Sequence, residues 1–432
     1  MSVATAPEPR DTSVESYSEV ELRDLRVGSP LFAPIFDVRD VLLLAKGQMV
    51  TSAFLDRLQD REIRAVRAHQ RDYVRTSNAK SLSPITGATQ GTATVVPPDR
   101  EGYVTPSRNG MSDRLDAEIC LGRLQTPKQG EPLLKRVPPR AGRRYDLGVQ
   151  ERLLESYHAS TSQMRGVYDR LVGGDGLDRA ALESLADKAL SDVVGDIDLF
   201  SCVSGNPSAG DYPVRHSVNT AMLGLAIGVR TGLDVPTLRE LVIGCLVHDA
   251  GMSWLDREIY DHADDLDRTR FLEITKHPVL VFDVLKDAAV IPKRSAFIAY
   301  QMHERCDGSG YPRRRTGEQI HFLSRIAAVA DAYVALVSPR AHRPAMMPYY
   351  AMEKMLRDAN RGLFDTTALR GLLRTLSLFP IGSFVELSDG GIARVVRAND
   401  DYCRPAVEIS GELIDLATSP LKVVKAVPAP TA

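Results

Sequence analysis

Thiols are scarce in this chain of 432 residues. Its five cysteines are far apart and form no Cys-x-x-Cys pair. They are Cys120, Cys202, Cys245, Cys306 and Cys403. This spacing argues against a disulfide framework and against a thiolate zinc site. We therefore expect a reducing, cytoplasmic location.

Long apolar runs and a strong net charge are also missing. No apolar stretch approaches the ~18 residues that indicate a membrane span, and no early segment has the pattern of a secretion signal. A formal net charge of −2 provides no overall field for binding a nucleic-acid backbone. We therefore expect neither a membrane nor a nucleic-acid polymer as partner.

The chain does contain enough apolar sequence, 44%, to bury a core in more than one unit. Helical periods dominate its middle, whereas short β-branched runs separated by turn residues flank it on both sides. The predicted fold is mainly α, a multi-helix bundle with small N- and C-terminal β-rich modules. The predicted segments are a disordered tail (1–18), a β-rich module (19–74), a partly disordered linker (75–145), the helical domain (146–376) and a second β module (377–425).

In the second β module, the sequence predicts three short strands, at 383–387, 393–397 and 406–410. Turn residues of the Asp-Gly and Asn-Asp type separate these strands. We therefore expect a small sheet at the end of the chain.

Six residues of the helical region have the side chains that bind paired metal ions. They are His216, His248, Asp249, His277, His303 and Asp331. Imidazole and carboxylate ligands together suit iron, manganese or zinc. Each of these residues alone also fits a simpler role, as a surface histidine or a hydrogen-bonded helix cap. Their combination favours a metal site.

Three of these residues carry a physical argument of their own. His248 and Asp249 end the apolar run 241–247, and Asp331 interrupts a stretch that is apolar on every helical face. Burial of an imidazole or a carboxylate is unfavourable unless the group is paired or binds a cation. A salt bridge or a metal would satisfy Asp331 equally well.

A glycine-rich loop follows His303. The segment 307–312 reads Asp-Gly-Ser-Gly-Tyr-Pro, and its two glycines allow the backbone to approach a ligand closely. The three arginines Arg313, Arg314 and Arg315 follow directly, and guanidinium groups suit phosphate oxygens. A solvated basic turn is the alternative interpretation of these arginines.

Together these motifs resemble the HD-GYP family, a branch of the HD phosphohydrolase superfamily. The likeness covers about 150–376 and lies in Arg215-His216-Ser217, His248-Asp249-Ala250-Gly251, Lys276-His277-Pro278, His303-Glu304, the loop 307–312 and Ala330-Asp331. It implies a metal-dependent phosphodiesterase that hydrolyses cyclic di-GMP to a linear dinucleotide or to GMP, by attack of a metal-bridging hydroxide on phosphorus.

The resemblance also implies roles for individual residues. His216, His248, Asp249 and Asp331 would hold one divalent ion, and His277 and His303 would hold a second that Asp249 bridges. Iron or manganese would be the occupants. His248 and Asp249 would be the catalytic pair, and Gly310, Tyr311 and Pro312 would bind substrate. The three arginines at 313–315 are not part of the family pattern, and we expect them to bind substrate because guanidinium groups suit phosphate oxygens.

The sequence departs from the family pattern at several positions. After the glycine-rich loop, Arg314-Arg315-Thr316 replaces the usual Gly-Leu-Lys. Met252 replaces a phosphate-binding lysine, Met302 replaces a histidine ligand, Val334 replaces a second aspartate, and Tyr212 replaces a glutamate that helps to hold a third metal. Two alternatives therefore stay open. The first is a catalytically impaired module that binds cyclic di-GMP or another protein. The second is a phosphohydrolase of another nucleotide. A homodimer or a signalling protein is a further expected partner.

Overall fold

A computed structural model gives the architecture, in which helices predominate. It describes residues 17–25, 31–37, 42–44, 48, 50–59, 63–69, 71–73, 130–138, 146–205, 212–256, 259, 267–284, 291–340 and 343–429. Most of the predicted tail and residues 75–129 of the predicted linker lie outside these ranges. The chain divides into two compact units.

In the described part of residues 1–104, the smaller unit contains an antiparallel sheet and one helix. Its strands lie in the order β1-β4-β2-β3. The elements are β1 (Tyr17–Glu21), β2 (Ile35–Asp37), β3 (Leu42–Leu44), α1 (Ser52–Gln59) and β4 (Ala65–His69). Ile35, Val66 and Phe54 are buried together, so the helix and the sheet share one core.

The larger unit contains the helical region and the C-terminal sheet. The helices of this region are α2 (Leu147–Gly173), α3 (Arg179–Gly195), α4 (Ile197–Gly205), α5 (Val214–Arg230), α6 (Val235–Val247), α7 (Arg268–Ile274), α8 (His277–Val284), α9 (Lys293–Gln301), α10 (Phe322–Val337), α11 (Pro348–Asn360) and α12 (Thr366–Leu376). Residues 267–272, which include most of α7, group with the smaller unit. A 3-10 segment, His248–Trp254, continues directly from α6. The prediction of a mainly helical domain is confirmed.

Aspartate caps fix where several of these helices begin. The side chains of Asp146, Asp178, Asp234 and Asp365 each accept a hydrogen bond from a backbone N–H in the first turn. Such caps satisfy donors that have no partner inside the helix. Asp234 also accepts a bond from Gly130 N at 2.6 Å, so residues 130–138 of the predicted linker pack against the start of α6.

Helices α5, α6 and α10 form the centre of the bundle. Almost every residue of α5 is buried, including His216 and the small residues that allow close helix packing. Helix α10 is similarly apolar and carries Asp331 within its buried face. Two of the six predicted ligands, His216 and Asp331, therefore lie on deeply buried helices of the fold.

The C-terminal sheet has five strands rather than the three expected from the sequence. Its order is β8-β7-β6-β5-β9. The strands are β5 (Phe384–Leu387), β6 (Ile392–Arg397), β7 (Ala406–Ile409), β8 (Glu412–Asp415) and β9 (Val423–Val427). The expectation missed β8 and β9, which have weak apolar alternation and lie at the two edges, where pairing rather than burial defines the strand.

Candidate metal centre

The structure brings the six predicted residues into one buried group, which we call the donor cluster. His216 lies on α5, His248 and Asp249 begin the 3-10 segment after α6, His277 begins α8, His303 follows α9, and Asp331 lies in the middle of α10. None of the six is more than 7% exposed. The cluster therefore combines donors from five separate segments of the bundle.

Asp249 lies at the centre of the donor cluster. Its Oδ1 is 3.2 Å from His248 Nε2, 3.3 Å from His277 Nε2 and 3.8 Å from His303 Nε2. Its Oδ2 is 4.0 Å from His216 Nε2. One carboxylate thus faces all four imidazoles.

Asp331 joins the same group from the opposite helix. Its Oδ1 lies 2.9 Å from His216 Nε2 and 4.0 Å from His248 Nε2. Its Oδ2 lies 3.5 Å from His303 Nδ1. The second carboxylate therefore contacts histidines that also surround the first.

Two overlapping sets of ligand atoms result from this arrangement. His216, His248 and Asp249 form one set, and Asp249, His277 and His303 form the other, with the atoms of each set within 4.8 Å of one another. Asp249 belongs to both sets. This geometry suits two neighbouring cations that share one carboxylate.

Backbone carbonyls orient two of the rings. His248 Nδ1 lies 2.7 Å from Cys245 O, and His277 Nδ1 lies 2.7 Å from Ile274 O. Because a carbonyl only accepts, each Nδ1 carries the proton, and each Nε2 presents a lone pair to the cluster. Metal-binding histidines are typically held by such contacts.

Several nitrogen and oxygen atoms of the donor cluster carry lone pairs but no proton. Among the described residues, His248 Nε2 and Asp249 Oδ2 are buried without a hydrogen-bond partner. The Nε2 atoms of His277 and His303 lie 2.9 Å apart, so their lone pairs need a proton or a cation between the rings. A donor set of this chemistry fits a divalent metal.

The electrostatics favour ligands that carry no proton. Burial opposes ionisation of Asp249, yet the four imidazoles, led by that of His248, lower its pKa to about 2. Burial and the neighbouring His303 lower the pKa of His277 to about 3. At neutral pH the cluster therefore presents an ionised carboxylate and a neutral imidazole, the forms that bind metals.

A glycine allows two donor segments to approach each other. A Cβ atom on Gly251 would lie 2.2 Å from the carbonyl oxygen of His277, far inside contact distance. Only glycine fits there, so the segment that follows Asp249 can pass directly over the backbone of His277. The Ala-Gly that follows His248-Asp249 thus serves packing within the centre.

The glycine-rich loop lies against the donor cluster. The ring of Tyr311 stacks on that of His303 with centroids 5.0 Å apart and planes 10° apart, and Pro312 is buried. Arg313 Nε donates to the hydroxyl of Tyr300 at 2.8 Å. Arg314 and Arg315 are half-buried. Of the predicted substrate residues, Tyr311 is thus the one whose ring is shown to contact the donor cluster.

Sequence reasoning missed Arg340, which follows the end of α10. Its Nη2 lies 3.3 Å from the hydroxyl of Tyr212, and its guanidinium lies 4.9 Å from the centre of that ring. Burial opposes its charge, but Tyr212, Asp331 and Asp249 raise the pKa of Arg340. Its Nε is buried without a hydrogen-bond partner in the described part of the chain. Arg340 therefore places a cation against Tyr212, whose ring packs on that of His216.

The departures from the family pattern are accommodated by burial. Met302 and Val334 are fully buried within the apolar core of the bundle, and Met252 is only 2% exposed. Tyr212 packs its ring 5.1 Å from that of His216. These side chains add apolar packing around the donor cluster where the family pattern has further polar groups.

Comparison with known families identifies the helical region. Residues 209–368 match the family model described as HD domain. This segment is an HD domain. It includes all six members of the donor cluster, and the resemblance inferred from the motifs is thereby confirmed.

Within the described residues, no helix is both long and apolar enough to cross a membrane.

Curated relatives of the HD domain carry related names. The chain is 29% identical over 189 residues to the cyclic di-GMP phosphodiesterase PdeB of Borreliella burgdorferi, covering 44% of this chain and 49% of that protein. It is 26% identical over 223 residues to the cyclic di-GMP phosphodiesterase PA4108 of Pseudomonas aeruginosa, covering 52% and 53%. It is 30% identical over 165 residues to 3'3'-cGAMP-specific phosphodiesterase 1 of Vibrio cholerae, covering 38% of each chain.

The chain spans about half the length of the first two of these relatives. All three are named as phosphodiesterases of cyclic dinucleotides, and they differ in the dinucleotide that the name specifies.

Proposed function

We propose that this protein is a metal-dependent phosphodiesterase that hydrolyses cyclic di-GMP to a linear dinucleotide or to GMP. The observation that carries the proposal is the position of Asp249, which two sets of metal-ligand atoms share inside an HD domain. The relatives named as cyclic di-GMP phosphodiesterases support the same substrate.

Two divalent cations, iron or manganese, are the proposed cofactors. His216, His248, Asp249 and Asp331 would hold the first, and His277 and His303 would hold the second together with Asp249. When bound, such a pair supplies a water of lowered pKa as nucleophile and neutralises charge on the phosphoryl oxygens. His248 and Asp249, the predicted catalytic pair, would act through the cations that they hold.

Substrate phosphate needs positive charge from the protein as well. Arg340 is our candidate, because its guanidinium packs on Tyr212, whose ring lies beside that of His216, and its Nε is buried without a hydrogen-bond partner among the described residues. A guanidinium can donate two parallel hydrogen bonds to a phosphate. We propose that Arg340 binds a phosphate of the dinucleotide, and that Gly310, Tyr311, Pro312 and the arginines at 313–315 form the adjoining wall.

A second candidate is a module that binds the dinucleotide without turnover. It is favoured by Met302, which is fully buried in the apolar core beside His303 and offers only a thioether, a weak ligand for a hard metal. Hydrolysis of a different nucleotide, such as 3'3'-cGAMP, is the third alternative and has the support of one group of relatives.

One experiment separates these candidates. The purified protein is analysed for bound iron and manganese, and hydrolysis of cyclic di-GMP and of 3'3'-cGAMP is followed at high enzyme concentration. The proposal expects about two metal ions per chain, turnover of cyclic di-GMP, and loss of turnover in Asp249→Ala. Tight calorimetric binding of cyclic di-GMP without product would favour the binding module instead.

We further propose a cytoplasmic location, since the four cysteines described in the structure form no disulfide. A homodimer or a signalling protein partner stays a prediction, and size-exclusion chromatography with light scattering tests the former.

A further inference from the structure

Glu304, the residue directly after His303, binds the backbone of the basic turn. It is only 1% exposed. Its Oε1 accepts a hydrogen bond from Arg313 N at 2.7 Å, and its Oε2 accepts one from Arg315 N at 2.9 Å. Both carboxylate oxygens are therefore committed to one turn, nine and eleven residues further along the chain.

The residue between those two amides has an unusual conformation. Arg314 has φ of 56°, in the left-handed region that residues other than glycine adopt only where their surroundings hold them. Because Glu304 binds the N–H on either side of Arg314, one carboxylate restrains both ends of this residue. The two hydrogen bonds to Glu304 thus account for the left-handed conformation of Arg314, and they also satisfy the buried carboxylate.

The loop that precedes this turn contacts the donor cluster. Tyr311 N donates to the carbonyl of His303 at 3.1 Å, and the two rings stack. A Cβ atom on Gly310 would lie 2.3 Å from Arg305 N, so the loop can fold this tightly only with glycine there. The loop therefore closes upon the residues that directly follow a proposed metal ligand.

We propose that Glu304 is a positioning residue, whose carboxylate fixes the turn at 313–315 and so keeps Tyr311 stacked on His303. Glu304 acts through the loop and touches neither metal nor substrate. Its effect on catalysis rests on the proposed phosphodiesterase function. Its hold on the turn does not.

The turn itself is tested by limited proteolysis with trypsin, which cleaves after arginine. Mass spectrometry follows cleavage between residues 313 and 316 in wild type, Glu304→Gln and the control Glu318→Gln. Glu318 is exposed in the following 3-10 turn. In Glu304→Gln the amide N–H faces a backbone N–H, so one bond is lost, and cleavage there should accelerate about 10-fold or more. The control should match wild type.

Kinetics test the positioning role. Glu304→Gln should raise KM for cyclic di-GMP about 10-fold and change kcat less, with metal content unchanged, because all six donors stay in place. Glycine adopts the left-handed conformation freely. The loss caused by Glu304→Gln should therefore be smaller in an Arg314→Gly background than in wild type, which a general loss of stability would not produce.

Equal cleavage rates in Glu304→Gln and wild type would overturn the proposal. So would faster cleavage with unchanged kcat/KM, or a loss of kcat/KM that is equally large in the wild-type and the Arg314→Gly backgrounds. If the wild-type protein hydrolyses no cyclic dinucleotide, the proposed function fails, and the cleavage rates alone decide whether Glu304 holds the turn.

Discussion

The larger unit contains an ion-pair cluster and the donor cluster, and the charge of the buried aspartates is balanced differently in the two. In the ion-pair cluster, Arg397 Nη1 lies 2.5 Å from Asp196 Oδ1 and 3.7 Å from Asp198 Oδ2, and Arg230 Nη2 lies 3.9 Å from Asp198 Oδ1. This cluster joins β6 of the C-terminal sheet to the start of α4. Each acid there has a permanently charged partner.

The donor cluster has two acids and, among the described residues, no arginine contact as short as that between Arg397 and Asp196. Asp249 and Asp331 face four imidazoles, and the arginine nearest to Asp331, Arg305, stays 3.9 Å away. An imidazole that is neutral at physiological pH offers a lone pair instead of a charge. The ion-pair cluster therefore contains its own permanent cations, whereas the acids of the donor cluster mainly face imidazoles whose lone pairs suit an added metal ion.

The largest effect that would sharpen this comparison is expected for Asp249→Asn. The amide keeps the shape of the carboxylate but loses its charge, so both metal sets lose their shared anion. We expect bound metal to fall well below that of wild type and kcat to fall by about 10³-fold or more, measured by elemental analysis and nucleotide chromatography. Asp187→Asn, at an exposed ion pair with Arg239, serves as control. Full metal content in Asp249→Asn would contradict the assignment.

The next effect concerns stability alone. Arg397→Met leaves Asp196 and Asp198 buried with less charge compensation, so the free energy of unfolding should fall by about 3–5 kcal/mol, measured by urea denaturation of the metal-free protein. Arg239→Met breaks an exposed pair and should cost about 1 kcal/mol or less. A cost equally small for Arg397→Met would show that the ion-pair cluster contributes little.

Arg340→Met tests the cation beside the donor cluster. Removal of a charge-assisted phosphate contact should lower kcat/KM for cyclic di-GMP about 10- to 100-fold, mainly through KM, while the metal content stays unchanged. Arg357→Met, on an exposed face of α11, provides the matched control. Loss of metal in Arg340→Met would instead indicate a structural role.

The smallest effect is a pH dependence of the metal-free protein. The pKa of His277 in the folded protein is about 3, below its ordinary value near 6.5. Between these two pH values, His277 is therefore protonated in the unfolded chain and neutral in the folded chain. Stability is therefore retained above pH ~6.5 and is lost towards pH ~3, with a slope of about 1.4 kcal/mol per pH unit for this one proton. Asp249, with a folded pKa of about 2, adds a loss in the same direction below pH ~3.8.

Urea denaturation at pH 7, 6 and 5 measures this slope. His277→Gln removes the titrating ring and should flatten it. A slope in wild type no steeper than in His277→Gln would show that the donor cluster does not carry the acid sensitivity.

Much of this molecule could be read from residue patterns. Helical periodicity predicts the mainly α domain, and the buried position of Asp331 follows from the apolar residues on all sides of it. The strands β8 and β9 escaped detection because edge strands are defined by their pairing partners. The packing of residues 130–138 also escaped it, since the contact with Asp234 joins residues 104 apart.

The sequence by itself determined which donor types are present and that burial would force them to find partners. Only the tertiary structure decided that Asp249 faces all four imidazoles and that His216 contacts Asp331, which is 115 residues away in the sequence. It also decided that Arg340 packs on Tyr212 beside His216. The physical reason is that burial follows from local apolar pattern, whereas distances between side chains on different helices depend on how the whole bundle packs.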